Sequence, residues 1–103
     1  MRSFWVAAAL LGFLSTAQAE SPIVAQPCLS DRAMRDTVAA GRVVAPALAI
    51  GAARRAVPGA DMLRATLCGD RDVFVYVISV LRKDGRVVHV VIDGPTGKVA
   101  AVQ

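Results

Sequence analysis

The last third of the chain, DVFVYVISVLRKDGRVVHVVIDGPTGKVAAVQ, is built from alternating apolar runs. Phe74, Tyr76, Ile78 and Val80 fall on one side of an extended segment, and Val88, Val90 and Ile92 on one side of the next. Lys83-Asp84-Gly85 separates the two, with Gly85 suited to the left-handed position of a hairpin turn. The second run closes on Asp93-Gly94-Pro95-Thr96-Gly97, and Lys98 to Val102 follows as a short edge strand. Upstream, Leu63, Ala65 and Leu67 share one face of a strand over Met62–Cys68, while Arg64 and Thr66 share the other. Gly69-Asp70-Arg71 is expected to turn.

Before these strands the period changes. Met34 and Val38 stand at i, i+4, Ser30 is a capping residue with Asp31 in the first turn, and Gly41 is a natural stop. This predicts a helix over about 31–40. Pro46 opens a second helix over about 46–56, which is alanine-rich and carries charge only at Arg54 and Arg55. Val57-Pro58 ends it, because a residue before proline is pushed out of the helical region. The expected fold is α+β: N-terminal helices packed on a three- to four-stranded antiparallel meander. The core expected from this pattern is Leu48, Ile50, Ala52, Leu63, Leu67, Tyr76, Ile78, Val80, Val90 and Ile92.

The amino terminus follows another logic. Arg2 precedes an apolar run from Phe4 to Leu14, and Ala17 and Ala19 form an A-x-A site. That pattern predicts a secretory leader cleaved after Ala19. The run is too short to span a bilayer, and no cysteine sits at the cleavage point to take a lipid. The expected product is periplasmic or secreted, with no stable membrane anchor. Residues 20–103 are then one small domain.

The formal charge of the whole chain is +4, and the basic residues are dispersed along it. After the leader the only aromatics are Phe74 and Tyr76. A nucleic-acid surface needs a clustered basic stripe with stacking rings, so no nucleic-acid partner is expected. Cys28 and Cys68 both lie in the exported part. In an oxidising compartment a Cys28–Cys68 disulfide is the leading expectation, against two free thiols. Closing a loop of about 40 residues would contribute roughly 3–4 kcal/mol.

The order of features resembles a PepSY domain in its small exported form. The resemblance rests on Ala53-Arg54-Arg55-Ala56-Val57-Pro58-Gly59, on Val75-Tyr76-Val77-Ile78-Ser79-Val80, and on Asp84-Gly85-Arg86. It rests also on Val90-Val91-Ile92-Asp93-Gly94-Pro95-Thr96-Gly97-Lys98-Val99. With the leader (1–19) and a lead-in with a short helix (20–41) before it, the resemblance gives a PepSY-like domain over 42–103. It implies a helix packed on an antiparallel sheet and a role in inhibiting or regulating peptidases. It brings no catalytic residues. The cysteine pair and a second apolar sheet face depart from the family's common pattern.

Each candidate site has a structural reading beside its functional one. Asp93, Thr96 and Gly97 form a turn signature in which a carboxylate accepts backbone N–H groups; a ligand contact there is the weaker reading. His89 is the sole histidine, and Asp93 stands roughly 13 Å along the strand from it, so neither metal nor cofactor is expected. Val73, Val75, Val77, Val87 and Val91 alternate onto the face opposite the predicted core. Either the first helix folds over them or they meet a partner or a second copy. No HExxH, phosphate loop, GxGxxG or nucleophile elbow is present, so no enzymatic activity is expected. The reading that results is a non-catalytic module binding a protein of the cell envelope, such as a peptidase. The alternatives are a self-associating envelope protein and a small-ligand or metal binder. An unpaired sheet edge is a further route to a peptide.

Overall fold

The computed structural model describes residues 27–70 and 73–103. Two helices, α1 (Asp31–Ala39) and α2 (Pro46–Ala56), precede four strands: β1 (Asp61–Asp70), β2 (Val73–Leu81), β3 (Val87–Asp93) and β4 (Val99–Val102). The strands pair antiparallel in the order β1-β2-β3-β4, so each meets only its sequence neighbours. This is the expected α+β meander. The predicted leader and most of the lead-in lie outside the described residues. The turn expected at Gly69–Arg71 does not include Gly69 and Asp70, which still pair with Phe74 and Val73, and Arg71 lies outside the described residues.

The ends of α1 follow the capping rules. The Ser30 hydroxyl accepts the Ala33 N–H at 3.1 Å. At the other end Gly41 N–H donates to the Val38 carbonyl and Arg42 N–H to that of Thr37. This double closure needs a residue with positive φ, and Gly41 sits at 75°. α2 starts with Pro46 in its first turn and touches all four strands.

The core lies between the helices and one sheet face. It holds Leu67, Phe74, Tyr76, Ile78, Val80, Val90 and Ile92, with Val43 and the alanines of α2. Two residues expected there are elsewhere. Leu48 is 62% exposed and Leu63 is 52% exposed. In α2 the buried positions are Ala49, Ala52 and Ala53, so the helix turns its alanine stripe to the sheet and Leu48 to solvent. A methyl-lined stripe lets the helix axis approach closely, which a leucine would prevent. Leu63 is displaced by a bulge: Met62 pairs with Val80 and Arg64 with Ser79, leaving Leu63 unmatched. Ile50 is only partly buried against the core.

The first helix does not cover the valine face. Leu29, Met34 and Val38 pack against the same cluster that α2 covers. Both helices therefore lie on one side of the sheet. Arg42, just past α1, stacks its guanidinium 5.1 Å from the centre of the Phe74 ring.

Candidate functional site

The turn after β3 is closed by its own residues. The Asp93 carboxylate accepts the Thr96 N–H at 3.1 Å and the Thr96 hydroxyl at 2.6 Å. That hydroxyl in turn accepts the Lys98 N–H at 3.2 Å. Gly97 N–H donates to the Asp93 carbonyl, with Gly97 at φ 76°. This carboxylate oxygen and this hydroxyl are thus engaged in holding the loop. Gly94 has a different constraint. A side-chain carbon there would stand 2.7 Å from the Phe74 carbonyl oxygen and 2.9 Å from a Val43 methyl. The room is needed because Gly94 N–H donates to Phe74 and its carbonyl accepts from Val44 N–H, both at 2.9 Å.

Tyr76 completes the same junction. Its hydroxyl donates to the Val44 carbonyl at 2.6 Å, joining the centre of β2 to the segment between the helices. Burial raises the phenol's pKa above its ordinary value.

Cys28 and Cys68 form a disulfide. The bond sits in a short antiparallel bridge at the outer edge of β1. Leu29 N–H donates to the Leu67 carbonyl and Gly69 N–H to that of Pro27, both at 2.8 Å. Cys68 is opposite Val75 in register and shares the valine face, while its neighbour Leu67 faces the core. The lead-in reaches that side by running along the edge, after which Leu29 packs against the core side.

On the face away from the helices, the central row is Thr66, Val77, Val91 and Ala101. Val75 lies beside it and is half-buried, as is Val77; Val91 is 1% exposed. Val73 and Val87 are 60% and 52% exposed but occupy opposite ends of the strands. In register Val87 pairs with Leu81, so roughly 26 Å of strand separates it from Val73. The structure thus groups Val75, Val77 and Val91 and leaves Val73 and Val87 as outliers. The next row is polar: Ser79 pairs with His89, and the Ser79 hydroxyl meets His89 Nδ1 at 3.1 Å. Among the described residues no group of three His, Cys, Asp or Glu is placed to hold a metal ion.

A second feature is invisible along the chain. Two open grooves, of about 760 and 420 Å³, meet at Ala56 on the helix side of β4. Arg55 and Lys98 flank one end, and Arg82, Lys83 and Arg86 the other. Arg82, Lys83 and Arg86 are close along the chain, but only the hairpin and the crossing of α2 set them at one groove with Arg55 and Lys98. The sole acid in the lining is Asp84, whose carboxylate pairs with Arg82 at 3.3 Å.

An antiparallel meander under a small-residue helix, with a self-closed Asp-Thr-Gly turn, defines a small α+β module built around a fold signature. Residues 43–103 match the family model described as peptidase propeptide and YPEB domain, PepSY. The chain belongs to the PepSY family. No curated protein and no solved structure matches it significantly. None of the described helices is long and apolar enough to cross a membrane.

Proposed function

We propose that this protein is an exported, non-catalytic regulatory module that restrains a peptidase, or another envelope protein, by direct contact. The observation that carries this reading is the family match over residues 43–103, whose description is that of a peptidase propeptide. Three features support it. The Arg2–Ala19 segment reads as a secretory leader. The Cys28–Cys68 disulfide suits an oxidising compartment such as the periplasm. The sheet face bearing Val75, Val77 and Val91 has neither helix upon it.

The test is a titration of the oxidised protein into secreted metallopeptidases from the same envelope. Slowed hydrolysis, lost on replacing Val75 and Val77 with lysine, is expected. Unchanged hydrolysis, together with no crosslinked envelope partner, overturns the proposal. A second reading is favoured by the same valine group: a face apolar at its centre can meet a second copy. Sedimentation that gives a monomer at high concentration removes it.

A further inference from the structure

We propose that the outer edge of β4, with the groove between it and α2, binds an extended acidic segment of a partner protein by strand addition. The inference rests on the reading of this chain as a binding module and names the chemistry of what it binds.

The edge supplies the backbone groups. Gln103 exchanges both hydrogen bonds with His89, and Ala101 pairs with Val91. By strand alternation the N–H and C=O of Val102 therefore point away from β3. The register shift between Val91 and Ile92 leaves Ala100 out of the ladder as well. Among the described residues β4 pairs with β3 alone. The opposite edge of the sheet differs, because Pro27–Leu29 already bond to β1 there.

The groove supplies an apolar floor. Val102 pairs with Val90 and Val99 with Ile92, so both stand on the helix side of the sheet. Both remain exposed, because the helix covers them incompletely. Ala52 and Ala56 line the helical wall. Small side chains there leave depth for the apolar residues of an incoming strand, which point to one face at every second position.

Charge selects the occupant. The cations stand at both ends of the groove, and one of them, Arg82, is already paired with the only acid in the lining. A second copy of the same edge, pairing antiparallel, would bring the Arg55 and Lys98 end against the Arg82, Lys83 and Arg86 end, so self-pairing is repelled. A strand with apolar residues in its middle and carboxylates at its ends meets both features. Carboxylates placed so also raise the rate of encounter and fix the register.

The test uses the oxidised chain and two blocked synthetic peptides. One reads Glu-Glu-Val-Ala-Val-Glu-Glu, and the other replaces every glutamate with lysine. Binding is followed by amide chemical shifts and by hydrogen exchange. The acidic peptide is expected to bind at least about tenfold more tightly, with weakening as salt rises. Shifts should fall on Ala100–Val102 and along Ala52–Ala56, and the Val102 amide should gain protection. The double variant R55E/K98E, at two exposed positions, should remove the preference. Val102→Pro removes an outward N–H without touching the bonds to β3, and should abolish binding while the fold persists.

Equal binding of the two peptides overturns the proposal, as do shifts confined to Val75, Val77 and Val91, or full binding by the V102P variant. Absence of binding at about 1 mM peptide overturns it too, since that leaves less than about 4 kcal/mol of affinity. The two proposals fail separately. Peptidase inhibition that survives R55E/K98E removes the edge and leaves the regulator. Acidic-peptide binding with neither an effect on a peptidase nor a crosslinked envelope partner keeps the edge and removes the regulator.

Discussion

Tyr76 is the side chain on which the junction turns. It is the only tyrosine, and the only tryptophan, Trp5, lies in the predicted leader. Its ultraviolet titration therefore reports one phenol. Burial raises its folded pKa above the unfolded value near 10. The stability this confers is fully present below the unfolded pKa and is lost as pH rises through the folded one. Phenolate absorbance of the folded chain is accordingly expected to rise at higher pH than that of the unfolded chain. A normal titration at pH 10 in a folded chain would contradict the buried phenol. Tyr76→Phe should remove this alkaline sensitivity. It should also cost about 1–3 kcal/mol in denaturant unfolding, because the Val44 carbonyl loses its partner.

The helices show where a pattern of polarity stops being sufficient. Both ends of α2 follow from Pro46 and from Val57-Pro58, and the observed range, Pro46–Ala56, agrees with the expected one. Its rotation does not follow. Ala47, Leu48, Ala49, Ile50, Ala52 and Ala53 are all apolar, so hydrophobicity alone cannot choose the inward face. The choice is made by approach distance: a helix laid on a sheet crowded with Tyr76, Ile78 and Ile92 presents its smallest residues. Ala53→Leu should therefore cost about 1–3 kcal/mol by overpacking. Leu48→Lys should change stability by less than about 0.5 kcal/mol. Comparable losses for both in urea melts would refute the observed rotation. The strands were legible because period-two alternation names a face directly, and the Asp93-Thr96-Gly97 turn because its hydrogen bonds are local. The bulge at Leu63 was not, since nothing in Met62-Leu63-Arg64 marks an extra residue. The basic groove was not, because Arg55 and Lys98 share it with Arg82, Lys83 and Arg86 only after β2 and β3 fold back and α2 crosses them.

Among the described residues, the valine face and the β4 edge are separate surfaces, one on the side of the sheet away from the helices and one on the helix side. A sheet with both helices on one side leaves the other dependent on its own rows or on a partner. The disulfide is the one covalent long-range contact in this neighbour-only topology. Unreduced mass spectrometry of the intact chain should give a mass two hydrogens below that of the dithiol. The C28S/C68S variant should be less stable by about 3–4 kcal/mol, and less than 1 kcal/mol would show that the bridge hardly constrains the unfolded chain.

The bridge also sets how this domain carries mechanical load. Cys28 and Cys68 enclose α1 and α2 in a covalent loop with a sequence separation of 40. A pull on the segment before Cys28 passes through the sulfurs into β1, and both helices lie outside the line of force. Fully stretched, the oxidised chain is shorter than the reduced one by roughly 140 Å, the reach of the bypassed residues. If the domain is tethered at one end and gripped by a partner at its sheet, tension is borne by the strands, while the helices that cover the core stay slack.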